Sequence, residues 1–115
     1  MNKKICFLLF IALSFCVSPV FPQAKNEIKK IVIDAGHGEP DGGAVSCTGV
    51  PECTYNLEIS LRLKDLMNLI GFETVLTRTD SSSIYVNGNT IAEKKISDLK
   101  ERVRIVKNTP NALLL

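Results

Sequence analysis

The order strand, glycine-rich loop, helix, glycine, strand between Ile31 and Thr77 limits this chain more than any other feature. Ile31-Val32-Ile33 is a short β-branched run ending at Asp34, the pattern of a buried strand in a parallel or mixed sheet. Residues 35 to 53 hold five glycines, two prolines and two cysteines, which reads as loop. From Thr54 to Ile70 the pattern becomes helical. Ile59, Leu63, Leu66 and Ile70 recur at spacings of four, three and four, and Leu57 and Leu61 widen the stripe. Thr54 is the expected N-cap, and Gly71 supplies a left-handed residue to stop the helix. Phe72 to Thr77 reads as a second strand. Together these make a βαβ unit, whose crossover is right-handed almost without exception.

Thr79 to Lys95 reads as a polar insertion, carrying Ser81-Ser82-Ser83 and Asn87-Gly88. The Asn-Gly pair could turn a small hairpin, but the surrounding serines and charges favour a mobile surface loop. Ser97 then opens a second helix with Leu99, Val103 and Val106 on one face, ended by Asn108-Thr109-Pro110. Leu113-Leu114-Leu115 reads as the start of a buried central strand. A domain this small could hardly tolerate ending inside such a strand, so the expectation is the N-terminal part of a longer domain.

Met1 to Lys4 is a short basic start, Ile5 to Val17 is almost entirely apolar, and Ser18 to Ala24 breaks the run. That is the grammar of a secretory signal over residues 1–24, with an uncleaved anchor as the alternative. About 20 apolar residues are needed to span a membrane comfortably, so membrane contact is expected only through this segment. Lys3 and Lys4 lie in it, and 12 basic residues then face 12 acidic ones. With no net charge and no basic stripe, a nucleic-acid partner is not expected. Cys6 and Cys16 fall in the apolar run; Cys47 and Cys53 flank Thr48 to Glu52. Those two could form a disulfide outside the cytoplasm, pair on zinc at an unusually wide spacing, or stay free.

His37 is the chain's only histidine and sits in a glycine turn directly after the first strand. Glu52 lies fifteen residues on, before the helix. Both bracket a strand-to-helix loop, so both can face the crevice at the strand's carboxyl end, where α/β folds expose reactive groups. Imidazole and carboxylate are suitable ligands for a catalytic zinc, which takes three protein donors and an open position. The plain alternatives are a structural histidine and a solvated glutamate.

Several stretches carry a family resemblance. Ile33-Asp34-Ala35-Gly36-His37-Gly38, then Asp41-Gly42-Gly43-Ala44-Val45, then Glu52-x-x-x-Asn56-Leu57 resemble motifs of the zinc-dependent type 3 N-acetylmuramoyl-L-alanine amidases of bacterial cell walls. Thr77-Arg78 resembles the family's Thr-Arg after the second strand. Ser97-Asp98-Leu99-x-x-Arg102 with Asn108 resembles its second helix, most like the spore-cortex, germination-associated branch. The likeness spans Ile31 to Leu115. Glu39 stands where the family usually has glycine, and Cys53 where a lysine commonly follows the ligand glutamate.

The resemblance implies an α/β three-layer sandwich, a mixed, mostly parallel sheet flanked by helices, of which residues 25–115 form the N-terminal part. It implies Zn2+ as cofactor, His37 and Glu52 as ligands, and peptidoglycan as substrate, cut between N-acetylmuramic acid and L-alanine. The third ligand and the general base are then expected beyond Leu115. Asp34 could orient His37, or cap a turn. Arg78 could hold a carboxylate or backbone carbonyls, and Asp41 reads as a turn residue. An exported protein is expected. The rival reading is a non-catalytic or vestigial wall-binding module, and a third has a partner chain supplying the missing half.

Overall fold

The computed structural model describes residues 28–115, so residues 1–24, expected to be a signal segment, lie outside the described residues. Strand β1 (Lys30–Ile33) leads through the glycine-rich loop into helix α1 (Glu52–Leu69), strand β2 (Glu73–Leu76), helix α2 (Ile91–Lys107) and strand β3 (Ala112–Leu114). The sheet order is β2-β1-β3, and both pairings are parallel. Ile31, Val32 and Ile33 are 3%, 0% and 2% exposed. Successive strand residues point to opposite faces, so β1 is covered on both sides. β2 and β3 lie on opposite sides of β1, and right-handed crossovers therefore put α1 and α2 on opposite faces of the sheet. This is the α/β layering that the sequence predicts.

The structure changes several boundaries. α1 starts at Glu52, with Pro51 rather than Thr54 as N-cap. Pro51 offers no side-chain cap. Instead the loop supplies acceptors, as Glu52 N–H donates to Ala44 O (2.7 Å) and Cys53 N–H to Gly42 O (3.0 Å). Glu52 is therefore a first-turn helical residue, not a loop residue. The helix ends as expected, with Gly71 at φ +96°.

The buried residues of α1 are Cys53 and Ser60, while Ile59, Leu66 and Ile70 of the expected stripe are exposed. The helix is apolar on more than one side, so spacing alone cannot choose its packed face. Small residues seven apart let it approach the sheet closely.

α2 begins six residues before Ser97. Thr90 caps it through a capping box with Glu93, whose carboxylate accepts from the Thr90 backbone. Leu99 and Val103 are half exposed, and the buried residues are Ser97, Asp98 and Arg102. The inward face of α2 is thus polar. The segment before it is docked rather than free. Ile84 N–H donates to Asp98 Oδ1 (2.8 Å), and Val86 and Asn87 N–H donate to Ser97 Oγ (3.1 and 3.3 Å). No hairpin forms at Asn87-Gly88. Among the three described strands β1 is central, and β3 lies at an edge with Leu113 to Leu115 about half exposed.

Candidate metal centre

β1 ends at Ile33, and in the run that follows two buried arginines grip the carbonyls of three residues, Ala35, Gly36 and His37. Arg78 donates from Nε to Ala35 O (2.8 Å), and from Nη2 to Gly36 O (3.0 Å) and Cys53 O (2.7 Å). It therefore ties the loop to the first turn of α1. Arg102 donates to Ala35 O (2.8 Å) and to His37 O (2.7 Å). Its charge is met by Asp98 (2.6 Å) and Asp34 (2.5 Å). These carboxylates raise the Arg102 pKa against the opposing effect of burial. Burial, followed by the neighbouring Arg102 charge, lowers that of Arg78. Asn56 Nδ2 adds a bond to Gly36 O (3.2 Å).

This grip holds an unusual backbone. His37 has φ +59°, a region where a non-glycine residue typically costs about 1–3 kcal/mol. Its carbonyl is fixed by Arg102, and Gly38 pairs with Asp41 through backbone bonds of 3.0 Å in both directions. Ser83 Oγ also donates to Gly38 O. The imidazole is thereby presented to an open cleft of about 280 Å³ lined by His37, Asp41, Glu52, Asn56, Lys95 and Arg102 among others.

In that cleft His37 Nε2 and Glu52 Oε2 face each other at 3.6 Å. Zinc donors at about 2.0–2.2 Å in tetrahedral geometry lie roughly 3.3–3.5 Å apart, so these two atoms can share one metal ion. Gly43 (φ +73°) leaves the room they need. A Cβ there would sit 2.8 Å from both Glu52 Oε2 and His37 Cδ2. The α1 N-terminus favours a carboxylate at Glu52 by about 0.3–1 kcal/mol, and Glu52 Oε2 accepts from Ala44 N–H (3.1 Å). Among the described residues no group of three His, Cys, Asp or Glu side chains forms a metal cluster. The candidate donors brought together here are two, His37 and Glu52.

Asp34 does not touch His37. Its carboxylate accepts from Thr77 Oγ1 (2.7 Å) and from Arg102. The group at His37 Nδ1 is Asp41 Oδ2 (3.3 Å), which also pairs with Lys95 Nζ (3.0 Å). The Lys95 hydrogen bond is the main cause that holds the Asp41 pKa below the usual carboxylate range, His37 adding to it against some desolvation. Arg78 binds carbonyls and no carboxylate. Cys47 is exposed, Cys53 is buried, and both are free thiols. Glu39 turns its side chain to solvent, and its backbone pairs with Ser81 and Ser83. Sequence reasoning passed over Asp41 as a turn residue; its position four after His37 was the available clue.

Residues 31–115 match the family model described as N-acetylmuramoyl-L-alanine amidase. The germination-specific N-acetylmuramoyl-L-alanine amidase of Bacillus subtilis (strain 168) is 31% identical over 88 residues, covering 76% of this chain and 37% of that protein. A putative N-acetylmuramoyl-L-alanine amidase of Buchnera aphidicola is 47% identical over 53 residues, 45% of this chain and 22% of that one. The solved CwlD amidase from Clostridioides difficile, in complex with the GerS lipoprotein, superposes with a TM-score of 0.67 at 39% identity. That likeness covers 71% of this chain and 43% of the other. The catalytic domain of CwlV from Bacillus (Paenibacillus) polymyxa gives 0.52 at 34% identity, covering 70% and 38%. The chain thus spans less than half the length of these relatives, yet the match runs from β1 through the loop, both helices and β3: this chain belongs to the N-acetylmuramoyl-L-alanine amidase family.

Proposed function

We propose that these residues form the first half of the zinc site of an exported peptidoglycan amidase that cleaves between the lactyl group of N-acetylmuramic acid and L-alanine. The supporting observation is the 3.6 Å approach of His37 Nε2 to Glu52 Oε2 at the carboxyl end of β1. His37 and Glu52 would hold the metal, which when bound would lower the pKa of its water to near 7 and polarise the amide carbonyl. Arg78 and Arg102 keep the loop from relaxing when a cation is brought in. The likeness to a germination-specific amidase favours spore-cortex peptidoglycan as the substrate. The apolar run after Lys4 supports export through a signal segment over residues 1–24.

Residues 1–115 alone do not hydrolyse. Two donors bind zinc weakly, and the cleft's other carboxylates are engaged, Asp34 and Asp98 by Arg102 and Asp41 by Lys95. Chelator-sensitive release of peptide from muropeptides by the purified 115-residue chain would show this part of the reading to be wrong. Glu52→Ala tests the ligand assignment. In the protein continued past Leu115 it lowers zinc content and nearly abolishes activity, with the melting temperature shifted by only a few degrees. Wild-type zinc stoichiometry in that variant would remove Glu52 from the site.

A further inference from the structure

We propose that Asp41 and Lys95 are positioning residues for His37, a chain of contacts by which α2 sets the tautomer and aim of the metal-binding imidazole. The proposal rests on the zinc reading above and extends it to two further residues. Asp41 Oδ2 lies 3.3 Å from His37 Nδ1, and the same oxygen lies 3.0 Å from Lys95 Nζ. Lys95 is on α2, the helix whose Arg102 also holds the His37 carbonyl at 2.7 Å. One helix therefore fixes both ends of the same residue, backbone through Arg102 and ring through Lys95 and Asp41.

Two carboxylates compete for the imidazole proton, and the geometry decides between them. Glu52 Oε2 is the farther, at 3.6 Å from Nε2, and already accepts from Ala44 N–H at 3.1 Å. Asp41 is nearer, and less exposed than Glu52, at 25% against 44% of its side chain. The proton of the neutral ring accordingly sits on Nδ1, opposite to the tautomer that free imidazole side chains prefer in water. Nε2 is left as an unprotonated donor aimed at Glu52. A histidine ligand commonly donates its other N–H to a carboxylate, and losing that partner typically costs about 10–100-fold in metal affinity. Lys95 prevents Asp41 from rotating toward solvent and so keeps this contact in place without touching the metal.

Because His37 is the only histidine, its ring can be read without assignment. The experiment uses the full 115-residue chain, metal-free, at a fixed pH about two units above the ordinary imidazole value. Two-bond nitrogen–proton spectra of the ring give the tautomer, and zinc titration followed by the same resonances gives an affinity. Wild type is expected to carry its proton on Nδ1. Asp41→Ala should move the population toward the Nε2–H form and weaken zinc by about 10–100-fold. Asp41→Asn, which keeps an acceptor oxygen, should retain the wild-type tautomer. Lys95→Ala should also retain it, and weaken zinc less than Asp41→Ala does.

A wild-type ring protonated on Nε2 would overturn the proposal, and so would a folded Asp41→Ala with wild-type tautomer and affinity. Zinc binding as tight in Lys95→Ala as in wild type would remove Lys95 from it. If wild type bound no zinc at all, the zinc reading would fail, while the tautomer would still decide whether Asp41 sets the ring. Should Asp41→Ala not fold, the wild-type and Asp41→Asn tautomers carry the test.

Discussion

The carboxyl end of β1 and the outward faces of the two helices are built on opposite terms. Around Asp34 to His37 nearly every contact is polar. Arg78 and Arg102 are buried, their charges are met by Asp34, Asp98 and backbone carbonyls, and no buried side-chain nitrogen or oxygen among the described residues lacks a partner. The helix faces are the reverse, with Ile59, Leu66, Leu69, Leu99 and Val103 all more than half exposed. The buried apolar set is correspondingly small, namely Ile31, Val32, Ile33, Ala35 and Cys53. The site is therefore held by directed bonds rather than by bulk burial. Directed bonds fix angles as well as distances, which the proposed pair of metal donors, 3.6 Å apart, would require.

Removing the centre of that network should give the largest effect. Arg102→Ala leaves Asp34 and Asp98 without their common partner and releases the carbonyls of Ala35 and His37. Breaking a buried charge pair from one side costs about 3–5 kcal/mol, a large share of a small domain's stability. The expected outcome is loss of a cooperative thermal melt. Arg102→Lys should restore little, since one ammonium cannot reach Asp98, Asp34 and His37 O together. A variant melting within a few degrees of wild type would mean that burial, not the arginine grip, holds this end of the molecule.

Gly43→Ala sharpens the same contrast at a smaller scale. Its Cβ would fall 2.8 Å from atoms of both His37 and Glu52, at a backbone φ of +73°. The strain is worth about 1–3 kcal/mol, and its relief separates the two donors. Zinc affinity should drop more steeply than stability, a split readable by zinc titration beside a denaturant melt. Equal losses in both would mean the residue serves only the turn.

How much of this was legible beforehand follows from the same division. β1, the Gly71 stop and the βαβ order were readable because local chemistry dictates them. His37 in the loop and Glu52, which falls in the first turn of α1, are a weak signal by type and spacing and were named through the family resemblance; the fold brings them to 3.6 Å. Helix burial was less legible. α1 offers two apolar stripes, and only the sheet's demand for small residues at Cys53 and Ser60 chooses between them. α2 looked amphipathic through Leu99, Val103 and Val106, yet it buries Asp98 and Arg102 because those charges have partners on β1's end. Pairing across 68 residues leaves no periodic trace. The Thr90–Glu93 capping box was present in the sequence but was hidden by the polar run around Asn87-Gly88.

The smallest expected effect lies at Leu69, 83% exposed at the end of α1. Leu69→Ser removes an apolar side chain that touches little, and surface substitutions of this kind stay within about 0.5 kcal/mol. The substitution also removes exposed apolar area, so solubility should rise while the melt stays in place. A loss above about 1 kcal/mol would show that this face is packed in solution. Concentration dependence of the wild-type melt, absent in Leu69→Ser, would trace that packing to a second copy of the chain. Either result would break the comparison at its apolar side, since the helix face would then contribute to stability as the arginine network does. An unchanged melt alongside a collapsed Arg102→Ala would place the stability of these residues where the directed bonds are.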